Sequence, residues 1–149
     1  WRMQDLTLKD IKQAVNLTLK EAYPGTKIYG PDTIEGYTRP SFFVYVTQTF
    51  SERTKNAVHK NVEIEIDLIQ KRPDELAAME FFEKMEAAFG YKLAVGSRKL
   101  NTDNINCMFE GESNNIPVVT FEVEFWDEVK KEDNSEIMKN MEMRQEVGN

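Results

Sequence analysis

Apolar positions near the start of the chain recur at helical spacing and then switch to a period of two. In TLKDIKQAVNLTLKEAYPG, residues Leu8, Ile11, Val15, Leu19 and Ala22 fall three or four apart, which places them on one stripe of an amphipathic helix. Thr7 with Asp10 three residues on has the form of a capping box, and Pro24-Gly25 ends the helix. A short extended piece from Lys27 to Tyr29 precedes a turn-rich loop containing Gly30-Pro31-Asp32 and Glu35-Gly36. Arg39-Pro40 then leads into a sheet, because proline fixes φ and biases the residue before it to extended geometry.

SFFVYVTQTF is apolar on both alternating sets, with Phe42, Val44, Val46 and Phe50 on one and Phe43 and Tyr45 on the other, the pattern of a central strand. NVEIEIDLIQ alternates cleanly, setting Val62, Ile64, Ile66 and Leu68 against Glu63, Glu65 and Asp67, the pattern of a half-buried strand. The polar SERTKNAVHKN between them predicts a long hairpin whose tip protrudes and is basic, through Arg53, Lys55, His59 and Lys60. A second helix spans PDELAAMEFFEKMEAAFG, opened by Pro73-Asp74 and closed by Gly90, with Leu76, Met79, Phe82, Met85, Ala88 and Phe89 as its stripe. Two further strands, within Lys99 to Glu110 and within Val118 to Asp127, are joined by GESNNIP. Beyond Trp126 the chain turns charged, and Ile137, Met138, Met141 and Val147 leave a thin apolar stripe. That stretch predicts either a frayed tail or a helix docked on another chain.

Helix, strand pair, helix, strand pair is the order of an α+β domain. The expectation is an antiparallel or mixed sheet of four to five strands with both helices on one face. The chain is read as one domain, globular over 3–128 with a C-terminal segment over 129–149. Trp1 and Arg2 are set aside as a remnant ahead of a natural start at Met3. No internal repeat occurs.

At 149 residues a single core burying roughly 70% of the unfolded chain's surface is expected. No apolar run approaches the about 20 residues of a membrane span, so no membrane partner is expected. A net charge of −7 works against tight binding to nucleic acid, which relies on clustered Lys and Arg to release counterions. The lone Cys107 excludes an internal disulfide, and synthesis in a reducing host cytoplasm is expected.

No catalytic set emerges. His59 is the one histidine and lacks a matching nucleophile. Cys107 alternates with Ile105 and Phe109 and is read as a small apolar residue. Met79, Phe82, Met85 and Phe89 are read as core and not as a cofactor box, while Met138, Met141 and Met143 suit an irregular partner surface. If the strands carrying Glu63, Glu65, Asp67 and Glu122, Glu124 were neighbours, five carboxylates would share a face and could hold Mg²⁺ or Ca²⁺. Alternating Glu is ordinarily the wet side of a sheet, so no metal or cofactor is expected. An acidic face could instead line a passage and keep DNA from sticking.

Taken together, LTLKDIKQAVNLTLKEAYPGTKIYG, EGYTRPSFFVYV, NVEIEIDLIQ, the FFEKME helix and VVTFEVEFW resemble the tail terminator family of phages and phage-like elements of Gram-positive bacteria. The resemblance covers Leu6 to Glu128. It implies a small α+β virion protein that forms a six-fold ring on the head-proximal end of a tail tube. Such a ring ends tube growth and offers a surface to the head connector, or to a collar in headless particles. The implied partners are further copies of the chain, the tube protein, the connector or collar, and a sheath where one exists. Rival expectations are a neck or head-completion protein, a tube subunit, a small metal-dependent hydrolase built on the carboxylates, and a general protein-binding module. Arg39 is expected to reach a carboxylate, on this chain or on another, and Tyr29 and Tyr37 either to pack under their loop or to anchor a neighbour. Arg39, Arg53, Lys55, His59, Lys60, Met138 and Met141 are the candidate subunit or tube contacts.

Overall fold

The structure is a computed structural model that describes residues 6–129. Its elements are α1 Leu8–Ala22, β1 Lys27–Tyr29, β2 Ser41–Arg53, β3 Ala57–Ile69, α2 Glu75–Phe89, β4 Lys92–Val95, β5 Arg98–Glu110 and β6 Ile116–Glu128. Six strands form one sheet in the order β1-β2-β3-β6-β5-β4. All pairings are antiparallel except β1 with β2, so the fold is α+β with a mixed sheet.

Both helices lie on one face. The capping box at the start of α1 is closed in both directions: Thr7 Oγ1 accepts from the Asp10 amide and Asp10 Oδ2 accepts from the Thr7 amide, each at 3.1 Å. Ile11, Val15 and Leu19 are fully buried against the sheet. Facing them are Phe42 and Val44 of β2, the alternating Val62, Ile64, Ile66 and Leu68 of β3, and Val119, Phe121, Val123 and Phe125 of β6. The helix α1 touches both β2 and β4, so the sheet curls around it.

The buried stripe of α2 is Ala78, Phe81, Met85 and Phe89. Met79 is 45% exposed and Leu76 78%, which corrects the expected stripe. Apolar residues occupy more than half the circumference of this helix, and periodicity alone does not choose among them. The sheet does: Phe81 stacks on Phe42 at 5.6 Å and Phe89 on Phe121 at 4.9 Å.

Six strands replace the expected four to five. Lys27 to Tyr29 pairs with Ser41 to Phe43 as a parallel edge strand. The unforeseen β4 turns into β5 through Gly96-Ser97, with Val95 opposite Arg98 and Gly96 at φ 60, the left-handed geometry that two-residue hairpins require.

The expected long hairpin is strand almost to its tip. Only Thr54 to Asn56 separates β2 from β3, and β6 runs beside β3 as far as Glu128 opposite Ala57. The arm is therefore three strands wide, and not a free hairpin. An extra residue at Thr49 breaks the register between Gln48 and Phe50. Because side chains alternate with period two, this bulge moves Phe50 off the face of Phe42, Val44 and Val46 and onto the opposite one.

Candidate assembly surface

The face turned away from the helices carries the acidic residues, and the pairing of β3 with β6 makes the five expected carboxylates neighbours. Glu63 lies opposite Glu122, and Asn61 opposite Glu124; Glu65 and Asp67 face Thr120 and Val118. Asp103 of β5 sits opposite Glu122 on the other side, so Glu63, Glu122 and Asp103 form one row of three acids. Like charges directly opposed across strands destabilise a sheet. Asp103 escaped the sequence reading because the bulge at Asp103 to Asn106, where Asn104 takes φ 56, interrupts the alternation of β5. Among the described residues no three acidic, His or Cys groups converge as a metal site would require.

Asp67 stands apart within this face. Burial, and then the adjoining Glu65 and Glu110 carboxylates, push its carboxyl up to about 8, and its Oδ1 is buried without a hydrogen-bond partner. The same surroundings raise the Tyr45 hydroxyl, by burial first and then by Asp67 and Glu65.

Nearer the hairpin end the face becomes aromatic. His59 stacks on Trp126 with ring centroids 4.5 Å apart and meets Phe50 edge-on at 5.5 Å. Its Nε2 lies 2.5 Å from Glu124 Oε1. His59 is thus held within a strand, with a side chain 17% exposed. Trp126, 52% exposed, was not singled out from sequence, although its alternation with Glu122 and Glu124 places it on this face.

At the opposite end Tyr29, Tyr37, Phe43 and Tyr45 form an aromatic group, with Tyr37 and Phe43 at 5.1 Å and Tyr29 and Phe43 at 5.5 Å. Tyr29 Oη also accepts from the Thr38 amide at 3.2 Å. Within the chain, these two tyrosines therefore pack beneath the loop. Arg39, whose peptide bond to Pro40 is cis, donates to the Gln70 carbonyl at 3.1 Å and to Tyr37 Oη at 3.4 Å. Within the chain the loop turns the guanidinium onto the end of β3, where the Gln70 carbonyl accepts.

The basic residues of the arm do not form one patch. Arg53 pairs in register with Val58 and Lys60 with Phe125, which puts both on the helix side, whereas His59 points to the acidic side and Lys55 occupies the exposed turn. Met138 and Met141 lie outside the described residues. A link absent from the sequence reading joins both ends of the described chain: Arg98 Nη1 lies 2.5 Å from Asp127 Oδ1, and Asp127 Oδ2 accepts from the Leu6 amide at 3.1 Å. Residues 29 and 121 positions apart carry no local signal of such pairing.

No helix among the described residues is long and apolar enough to cross a membrane. No curated protein sequence matches the chain. One solved structure overlays on 85% of this chain and 98% of its own at 10% identity, with a TM-score of 0.45, a likeness too slight to carry an argument. The model of a family described as phage tail terminator protein matches residues 10–137. That span takes in α1 from Asp10 onward, α2, all six strands and the acidic face, and the chain therefore belongs to the phage tail terminator family, structural proteins of the phage tail.

Proposed function

We propose that this protein assembles as a homo-oligomeric ring, six-fold as in the resemblance noted above, on the head-proximal end of a tail tube. The ring matches the last tube ring on one side and lacks, on the other, the surface that would recruit a further tube subunit. Growth stops there, and the exposed side receives the head connector or a collar. The observation that carries this reading is the row Glu63, Glu122 and Asp103 on a sheet face without helices. Three opposed acids cost folding energy, and an anionic wall repels a phosphate backbone. Lining a passage for DNA is a use that offsets the cost.

Electron microscopy of particles from the producing strain, with and without this reading frame, tests the proposal. Its loss should give overlong tails of irregular length without heads or collars. Tails of normal length beside unattached heads would move the protein to the neck, and unaltered particles would overturn the reading.

A further inference from the structure

The two edges of the sheet are stepped in opposite senses. On one side β1 covers β2 only from Ser41 to Phe43, leaving the arm end of β2 without a strand neighbour among the described residues. On the other, β4 covers β5 only from Arg98 to Asn101, leaving the far end of β5 open among the described residues. The short strands therefore sit at diagonally opposite corners.

We infer that one copy's β4 fills the open edge of the next copy's β2, while that copy's β1 fills the open edge of the first copy's β5. This rests on the ring reading above and names the surfaces that close it. Four observations support it. The lengths agree: beyond the bulge at Thr49, β2 runs regularly for four residues, Phe50 to Arg53, and β4 has four, Lys92 to Val95. Beyond its own bulge β5 is regular from Asn106 to Glu110, room for the three residues of β1.

The rows agree as well. Phe50, Asn61, Glu124, Asn101 and Lys92 form one row across a single chain, and Tyr29, Phe43, Asp67, Val118 and Met108 form another. Continuing both rows into a neighbouring copy sets Lys92 beside Phe50 and Met108 beside Tyr29. Faces then match, since Ala94 and Glu52 both fall on the acidic side. Charges match too: two residues beyond the second row, Lys27 comes level with Glu110.

The exposed stretch Thr47 to Arg53 carries the bulge at Thr49 and the charges Glu52 and Arg53, devices that deter indiscriminate pairing at an open edge. Its occupant is a second copy of this chain, joined through different surfaces on the two partners, which is the contact that generates rings. Along the sheet β2 and β4 run parallel, and β1 and β5 antiparallel.

Two single-cysteine variants test this in full-length protein, Ala94→Cys and Glu52→Cys, each with Cys107→Ser. Strand neighbours lie about 4.8 Å apart, within the Cα separation of about 4.4–6.8 Å that a disulfide spans. Mild oxidation of the mixed variants should convert the monomer band to a dimer, and neither variant should dimerise alone. Ala94→Cys cross-linking to itself would mean a two-fold contact and overturn the inference. Ring-sized particles of the parent protein by native mass spectrometry, with no cross-link in the mixture, would overturn the edge pairing and leave the ring standing. A protein that stays monomeric at every concentration and is absent from isolated tails would overturn both.

Discussion

Arg98 and Asp127 form a nearly buried ion pair at 2.5 Å, with side chains 19% and 8% exposed. The pair lies where three chain segments meet, because Asp127 also holds the Leu6 amide and Arg98 Nη2 donates to the Trp126 carbonyl at 3.1 Å. Arg98→Met should leave Asp127 buried without its cation and cost about 2–4 kcal/mol in urea unfolding. Adding Asp127→Leu should recover part of that loss, because both charges are then gone. Single and double variants that unfold like the parent would show that the pair contributes nothing.

Asp67 makes stability depend on pH in the direction opposite to most carboxylates. An unfolded aspartate titrates near about 4, whereas this one titrates at about 8 when folded. Below the unfolded value both states carry the proton. Between the two values only the folded state does, so stability falls as pH rises from about 4 to about 8. Asp67→Asn should remove this slope and make the variant more stable than the parent at pH 8.5 but not at pH 4. Parallel stability curves across that range would refute the assignment.

The corrected stripe of α2 separates two substitutions that the sequence alone would treat alike. Phe81→Ala empties a fully buried site and should cost about 3–5 kcal/mol. Met79→Ala, on the exposed side, should change stability by less than about 0.5 kcal/mol. Thermal or urea unfolding distinguishes them.

Arg53 and Lys55 sit at the exposed end of the arm. Reversing both to Glu should weaken ring or tube association without unfolding the monomer, read as reduced oligomer mass alongside an unchanged circular dichroism spectrum. Unchanged association and tail length would remove these residues from the contact.

Neutralising the acidic row should improve the fold and impair the surface. Glu63→Gln with Glu122→Gln relieves repulsion worth roughly 0.2–1 kcal/mol per opposed pair and should raise the melting temperature. If the face lines a passage, the same variant should retain DNA more strongly at low salt; equal retention would argue against that use.

Wherever one local rule governed the residues, the sequence was sufficient. The alternation of β3 put Val62, Ile64 and Ile66 inward, Thr7 and Asp10 announced the capping box, and the alternating Glu of β3 and β6 marked the side of each strand turned from the core. Reading failed where geometry depended on another element. The stripe of α2 was chosen by Phe42 and Phe121 across the core, Phe50 was displaced by one extra residue, and β4 was too short to show a period before Gly96. For the assembly surface the residues of the face were legible but not their arrangement: Asp103 joins it only through strand pairing, whereas the alternation of Trp126 with Glu122 and Glu124 was present in the sequence.

The bulge at Thr49 also separates two addressing schemes within one strand. Before it, even-numbered positions point inward and are fixed by the core; after it, the parity is reversed and the outer end answers to a different set of neighbours. A single-residue deletion at Thr49 would bring the two halves back into phase by removing the bulge, leaving Phe50 opposite Asn61 on the acidic side and the side chains alternating strictly from Ser41 to Arg53. Paired insertions beyond it would preserve the phase. The length of the arm can thus vary in steps of two while the core keeps its own reading, which lets the contact end diversify without redesigning the body that carries it.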